Sequence, residues 1–425
     1  MTPKPILISG AGLSSLLLAQ SLLRSKIPFK IFERDASVSF RAQGYRLRLS
    51  TEGLDAIENV LGPEEFSKFF DVCGKTGGAG VKIIDAITGE EVTESKKTSG
   101  EGQKGGGNGG GALQDVSRKR DEPHLNDEAD KDSPRSLASR DGKVIGISRG
   151  DMRKFFLRGL DDYIQWAHKV TGYEITATGV HAIFADGSKS EEGDMLIGGD
   201  GIYSGVARQL SPSLKVFDTG SRGIHGQASS TAFKGLGEGV WRIVDDSNPK
   251  GRMFIITNVR SGDKDDPEIQ LGWTIGSAPG VINAPNDDYS LVGAPAADLA
   301  KSLTKNWHPR LRPLIDEMDV ANAAFWKITC STPTGVPEWK NEPRVTVIGD
   351  AVHSMTPAGG IGANTAVQDS ALLGRLIGEA GGFKEGVTAA YEKEMRVYGS
   401  EAVKTSYGMA KSGFDIHIDE NSPTV

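Results

Sequence analysis

The sequence predicts an α/β fold with a parallel strand–helix–strand unit at the start, a second and mostly antiparallel β domain in the middle, and helices at the C-terminal end. Three observations predict it. Residues 5–9 (PILIS) form a short apolar run that stops at Gly10-Ala11-Gly12 and gives way to a helical period over 13–25, after which a second apolar run, 28–32, ends at Glu33. Between about 211 and 340, β-patterned runs follow one another at 239–244, 252–259, 269–275 and 324–330. A last apolar run, 344–348 (RVTVI), then leads through a glycine-rich turn into two long helical stretches.

Composition bounds the possibilities. The 425 residues suffice for two or three domains at roughly 100 to 200 residues each. A net charge of −7 without a basic run argues against a nucleic-acid partner, which needs a concentrated basic face. Two cysteines, Cys73 and Cys330, can build neither a disulfide framework nor a four-thiolate metal site. The longest apolar stretch, 16–23, is far short of a membrane span, and the start lacks the basic region and cleavage site of a signal peptide, so a soluble chain in a reducing cytoplasm is expected. Glycine is in excess, at 55 residues, against a usual share of about 7%. No repeat of solenoid or propeller period is visible.

Taken in order, the first 35 residues spell one βαβ unit. From about 95 to 142 the chain is glycine-rich and charged, with isolated apolar residues, and cannot bury enough surface to offset its ordering entropy, so a flexible surface insertion is expected. It is not a phosphate loop, because no strand precedes it and no G-x-x-x-x-G-K-[ST] spacing occurs. Order resumes with a strand at 143–148, a helix from about 151, and strands near 176–184 and 194–197. The middle stretch adds helices near 296–306 and 310–318, and the end adds helices over about 365–380 and 385–409 and a loose tail at 422–425. The domains expected are therefore a discontinuous cofactor domain, 1–210 with 341–412, a substrate domain, 211–340, and a tail, 413–425.

Gly10, Gly12 and Ser15 occupy a G-x-G-x-x-[GAS] frame between a strand and a helix, the sign of a Rossmann-like dinucleotide-binding domain. The first glycine permits the tight turn, the second lets backbone approach a pyrophosphate, and Ser15 is small enough for close packing. Glu33, with Arg34 beside it, ends the second strand, where a carboxylate can accept from a ribose hydroxyl. A second constellation, GDAVHSMTPAGGIGANTAVQD at 349–369, places Asp350 after a strand and Pro357, Gly360, Gly362, Ala363 and Asn364 around the start of a helix, with the Asn364 side chain as a candidate cap. A third, DMLIGGDGIYSGVAR at 194–208, carries Asp200, Gly201 and Arg208 after a strand kept slim by Gly198 and Gly199. His353 lacks partner ligands at metal spacing, so it is read as a packing residue or a support for its neighbours, and no metal is expected.

These three constellations, in this order, resemble the single-component FAD-dependent monooxygenases, the class that includes p-hydroxybenzoate hydroxylase. The resemblance covers almost the whole chain; the insertion at 95–142 departs from the usual core. It implies that Asp350 binds the ribityl chain, that the turn from Pro357 to Gly362 aims a helix start at the isoalloxazine, and that Asp200 and Gly201 serve both the flavin and the nicotinamide. It also implies that Arg149, in ISRGDMR, reaches the flavin from a helix start, and that Gly44, Arg46 and Arg48, in QGYRLRLS, belong to the segment covering the cofactor.

The function so implied uses FAD, NAD(P)H and O2 to hydroxylate, epoxidise or insert oxygen beside a carbonyl in an aromatic or secondary-metabolite substrate, through a flavin hydroperoxide. The acting unit would be a monomer or homodimer. Segment 222–227 (RGIHGQ), Trp241 and Trp273 are candidate pocket elements, and no catalytic acid or base is assigned. An oxidase or halogenase on the same fold is the nearest alternative, although only GWTIGS stands where a halogenase would show W-x-W-x-I-P; a non-catalytic flavin-binding sensor is the other. No G-x-S-x-G elbow supports a serine hydrolase.

Overall fold

The structure is a computed structural model that describes residues 4–37, 46–77, 80–92, 138–260, 262–283 and 291–425. Gly44 and most of the expected insertion, residues 95–137, lie outside the described residues.

The runs that opened the sequence form a parallel sheet. Its strands are β1 (Ile6–Ser9), β2 (Phe29–Phe32), β7 (Ile164–Gln165), β10 (Met195–Gly198) and β16 (Val345–Val347), in the order β16-β10-β1-β2-β7. Every residue of β1, β10 and β16 is buried, as expected of parallel strands covered on both faces. Helix α1 (Leu13–Arg24) crosses from β1 to β2, and α9 (Gly362–Ala380) packs along it. Helices α2 (Thr51–Leu61), α3 (Pro63–Val72) and α4 (Arg149–Phe156) join the same apolar core, while α5 (Gly205–Leu210) lies against a hairpin of β8 (Val170–Ile175) and β9 (Val180–Phe184). The run expected as one strand at 176–184 is therefore the turn and second arm of that hairpin.

Two further sheets complete the architecture. A small antiparallel one contains β3 (Arg46–Leu49), β4 (Gly74–Gly77) and β6 (Lys143–Ser148), ordered β3-β6-β4. The larger contains β5 (Val81–Asp85), β11 (Val216–Ser229), β12 (Gly239–Asp245), β13 (Met253–Val259), β14 (Gln270–Ser277) and β15 (Ala324–Ser331), ordered β15-β11-β14-β13-β12-β5. Helices α6 (Ala294–Leu303) and α7 (Pro313–Asp316) cover one face of it. Beyond β16 the short α8 (Asp350–His353) precedes α9, and α10 (Val387–Phe414) closes the structure, five residues longer at its end than the periodicity suggested.

Four differences from the sequence reading have physical causes. Strand β5 pairs in parallel with β12, so the larger sheet draws one strand from before residue 210. The 14-residue β11 was not expected, because its glycines break the alternating pattern; Gly223 and Gly226 are the slots over which the Trp326 and Trp273 indoles lie. Trp241 and Trp273 are core rather than pocket, each 1% exposed, with their indole N–H groups donating to the carbonyls of Gly237 and Leu314. The expected loose tail is tied down: Asp218 N–H donates to the Pro423 carbonyl at 2.8 Å and Val425 N–H to the Val216 carbonyl at 3.0 Å.

The join between β1 and β10 is the tightest point of the parallel sheet. Gly10 has φ +89°, and a Cβ there would stand 2.6 Å from the Gly199 carbonyl oxygen and 2.8 Å from the Asp200 Cα. Both obstacles are backbone and cannot turn aside. Gly10→Ala should therefore lower stability by about 2 kcal/mol or more, measured as a fall in the thermal unfolding midpoint; an unchanged midpoint would contradict this close approach.

Candidate active site

The sequence constellations meet along one edge. Ser9 is in register with Phe32 on one side and Gly198 on the other, and Gly198 with Val347, so the carboxyl ends of β2, β1, β10 and β16 lie side by side. Past those ends come Glu33, Gly10, Asp200 and Asp350. Main-chain bonds continue the alignment: Gly10 N–H donates to the Phe32 carbonyl at 2.7 Å, Gly199 N–H to Ser9 at 2.8 Å and Ile348 N–H to Gly198 at 2.9 Å. The carboxyl edge of a parallel sheet is where open α/β folds bind ligands.

At the first turn, Gly12 opens α1 without a capping side chain, and the first turn holds no acid, so its amides and the positive helix end are uncompensated by the protein. Ser15 does not face that opening; its Oγ donates to the Gly199 carbonyl at 3.4 Å and joins α1 to β10. The Glu33 carboxylate is buried and fixed, accepting from Ala11 N–H at 2.6 Å and Asp35 N–H at 2.9 Å. Arg153, buried in α4, donates from Nε to the Ala11 carbonyl at 3.0 Å and sets Nη2 3.8 Å from Glu33. Arg34 is turned toward Asp35, its Nε 3.9 Å from the carboxylate.

The Asp350 turn rests on a buried aspartate. Asp369 of α9 accepts from Gly349 N–H at 2.6 Å and from His353 Nε2 at 2.7 Å through one oxygen, and from the Tyr398 hydroxyl at 2.7 Å through the other. Asp350 itself has surface open to solvent but sits at the floor of a recess, where loss of bulk water pushes its carboxyl above the ordinary range; the charges of His353 and Arg149 act against that rise. Burial alone would lower His353, but the charge and hydrogen bond of Asp369 outweigh it and hold the imidazole above its usual value. His353 is thus a support for the turn.

After Pro357 the chain passes Gly360, at φ +63°, a conformation open to glycine at little cost. Gly362 and Ala363 form the first turn of α9, again without a side-chain cap or an acid. Asn364 does not cap the helix. Its amide instead ties three segments together, accepting from Ser50 N–H at 2.9 Å and donating to the carbonyls of Arg48 and Gly360, both at 3.0 Å. The helix starts three residues before the expected Thr365, so Asn364 lies inside it.

The remaining candidates divide. Asp200 is raised by burial and turned to the hydroxyls of Ser204 and Ser9 and the Gly205 amide, so it organises the start of α5, whereas Gly201, at φ +78°, has open space beside it. Arg208 donates to the Val425 carbonyl at 2.9 Å. Arg149 lies close enough for its charge to act on both Asp350 and His225. Arg46 has Arg260, Asp263 and Asp151 as its charged neighbours, and burial with Arg260 lowers it to about 10. Arg153 and Asp369 were quoted within motifs but given no role; Arg153 falls one helical turn after Arg149, and that spacing was the available signal. Trp326, stacked on His225, had none.

Comparison with known proteins agrees with this geometry. Residues 158–406 match the family model described as FAD binding domain. The dual O-methyltransferase/FAD-dependent monooxygenase elcB of Phaeosphaeria nodorum is 30% identical over 411 residues, covering 88% of this chain and 40% of that protein; the chain thus spans well under half of the relative's length. The aurachin C monooxygenase/isomerase of Stigmatella aurantiaca is 25% identical, covering 88% of this chain and 80% of that one. Among solved structures, 2,6-dihydroxypyridine-3-hydroxylase from Arthrobacter nicotinovorans superposes with a TM-score of 0.69 over 99% of this chain and 96% of that chain; at 15% identity this likeness speaks for the fold. The chain belongs to the FAD-binding-domain family of single-component FAD-dependent monooxygenases, of the p-hydroxybenzoate hydroxylase type. No described helix is long and apolar enough to cross a membrane.

The His353–Asp369 pair makes a pH prediction. A histidine held above its ordinary value adds stability that is complete below about pH 6.5 and fades as pH rises through the folded value. The loss of thermal stability in His353→Gln relative to wild type should therefore be largest near pH 6 and shrink toward pH 9. A gap that widens with rising pH would contradict the pairing.

Proposed function

We propose that this chain is an FAD-dependent monooxygenase that uses NAD(P)H and O2 to place one oxygen atom into an aromatic or secondary-metabolite substrate. The observation that carries the reading is the convergence of three glycine turns and two acids on one edge of the parallel sheet, opposite a neutral histidine of the larger sheet.

The residues present fit the cofactor. Two helix starts, at Gly12 and Gly362, carry neither caps nor acids, and the space beside Gly201 and Gly360 is open. In this reading the amides at the start of α1 hold the pyrophosphate, Glu33 accepts from ribose hydroxyls, and Asp350 accepts from the ribityl chain. The uncapped start of α9, at Gly362 and Ala363, favours negative charge on the ring. Bound FAD would supply hydride acceptance from the nicotinamide and the activation of dioxygen. The protein's own work is positional. Arg149 adds positive charge beside Asp350, and the apolar cluster of Ala358, Phe254, Ile328 and Phe414 keeps water from that flank.

Purified protein should carry non-covalent FAD, and Asp350→Ala should weaken its retention about tenfold or more, as expected for a lost charged acceptor. A substrate of the proposed class should stimulate NAD(P)H oxidation and acquire one atom from labelled O2, read by mass spectrometry. Colourless protein that cannot be reconstituted with FAD would end this reading.

A further inference from the structure

The two faces of the larger sheet are used differently. One buries Trp241, Ile255, Trp273 and Phe325 beneath α6 and α7. On the other, Ala324, His225, Thr274, Ile256 and Arg242 stand directly opposite one another in register, a straight row across β15, β11, β14, β13 and β12. Residues so opposed project on the same side of a sheet. Each of the five is at least partly exposed, and Ile256, an apolar residue near the middle of the sheet, is 37% exposed.

The flanking rows are closed. On one side Gly223 and Gly276 carry no side chain, and Phe254 meets Phe414 of α10 edge-on with ring centroids 4.7 Å apart. On the other, Val240 clusters with Val144 and Val81, and the Thr76 hydroxyl of β4 bonds the Asn258 amide at 3.0 Å. The open row is therefore the floor of a trough between two covered strips.

The ends of the trough differ in chemistry. At one end His225 stacks on Trp326, with ring centroids 4.8 Å apart and planes within 7°, and its Nδ1 pairs with the Thr274 hydroxyl at 2.9 Å. Burial and the nearby Arg149 push this imidazole down to about 3, so it is neutral at ordinary pH. Trp326 also packs on the cluster holding Ala358, so this end adjoins the turn before α9. At the other end the Arg242 guanidinium lies 4.8 Å from the Phe254 ring centroid, and its Nε is buried with no hydrogen-bond partner among the described residues. Three strand spacings, about 14 Å, separate the His225 and Arg242 backbones.

We infer that this trough is the substrate subsite, and that it takes an elongated, fused aromatic acid. The ring system lies along Thr274 and Ile256, its carboxylate or phenolate pairs with Arg242, and its far ring reaches His225 and Trp326 beside the cofactor edge. A single benzenoid acid is too short to meet both ends, whereas two or three fused rings match the span. This rests on the function proposed above and narrows its substrate class.

The test is equilibrium dialysis of FAD-loaded protein against three probes: anthraquinone-2-carboxylate, its carboxamide and benzoate. The carboxylate should bind about tenfold tighter than the carboxamide, and benzoate about tenfold weaker than the carboxylate or worse. Arg242→Gln should erase the preference for the carboxylate while leaving carboxamide affinity within about twofold, and Ile256→Trp, which fills the trough, should weaken both tricyclic probes about tenfold. Flavin content equal to wild type in both variants shows that the fold is intact. Equal affinity for acid and amide, a preference that survives Arg242→Gln, or indifference to Ile256→Trp would overturn the subsite. Wild-type protein unable to hold FAD would instead remove the reading of function beneath it.

Discussion

Everything at the candidate site depends on the close approach of two backbones, at Gly10 and at Gly199 with Asp200. Adjacent parallel strands sit at a fixed spacing, and the chain must leave both in the same direction without collision. A side chain at Gly10 would strike the neighbouring main chain, and one at Gly199 would strike Ser15 of α1. With both absent, the turns after β1 and β10 lie flush, and α1 starts at the sheet edge with its amides open. The turn after β16 follows the same logic, since a Cβ at Gly349 would stand 2.7 Å from the Ser14 hydroxyl.

Such an edge gathers uncompensated charge, and the fold answers by anchoring its acids. Glu33 is held by two backbone amides with Arg153 nearby, so its orientation is set by the chain. Asp350 is raised by burial and left open to the recess, while the turn that presents it hangs from Asp369 through the Gly349 amide. A buried carboxylate is costly unless every lone pair is engaged. Asp369 meets that condition with an amide, an imidazole and a phenol, and the same bonds fix the position of its neighbour. The larger sheet stands opposite and contributes a neutral imidazole, so across the recess the acids face a polar group that does not compete for charge.

What could be read in the sequence was local. The turn at Gly10 and Gly12, the acid at Glu33 and the Asp350 motif each lie in one contiguous segment, where spacing alone encodes strand, turn and helix. Their convergence on one edge followed from strand order. Asp369 and His353 could not be paired that way, because 16 residues and the start of a helix separate them. Asn364 misled for a related reason: at a helix start it looks like a cap, but Arg48 and Ser50, more than 300 residues away, claim its amide. Strand β11 was hidden by the glycines that make room for two indoles. The row on the larger sheet was the least legible feature, since its five residues come from five strands and only register brings them together. Ile256 and Arg242 have no local pattern that marks them.

The central claim is that one bound FAD is held at once by the turns after β1, β10 and β16 and by the start of α9. Amide hydrogen exchange with and without FAD tests it most directly, because each of those segments reports separately. The account predicts that FAD slows exchange together in peptides covering Gly10 to Leu13, Gly201 to Gly205, Gly349 to His353 and Gly360 to Asn364, with the distant β8–β9 hairpin unchanged. Protection confined to one of these turns, or appearing elsewhere while all four exchange as before, would contradict it.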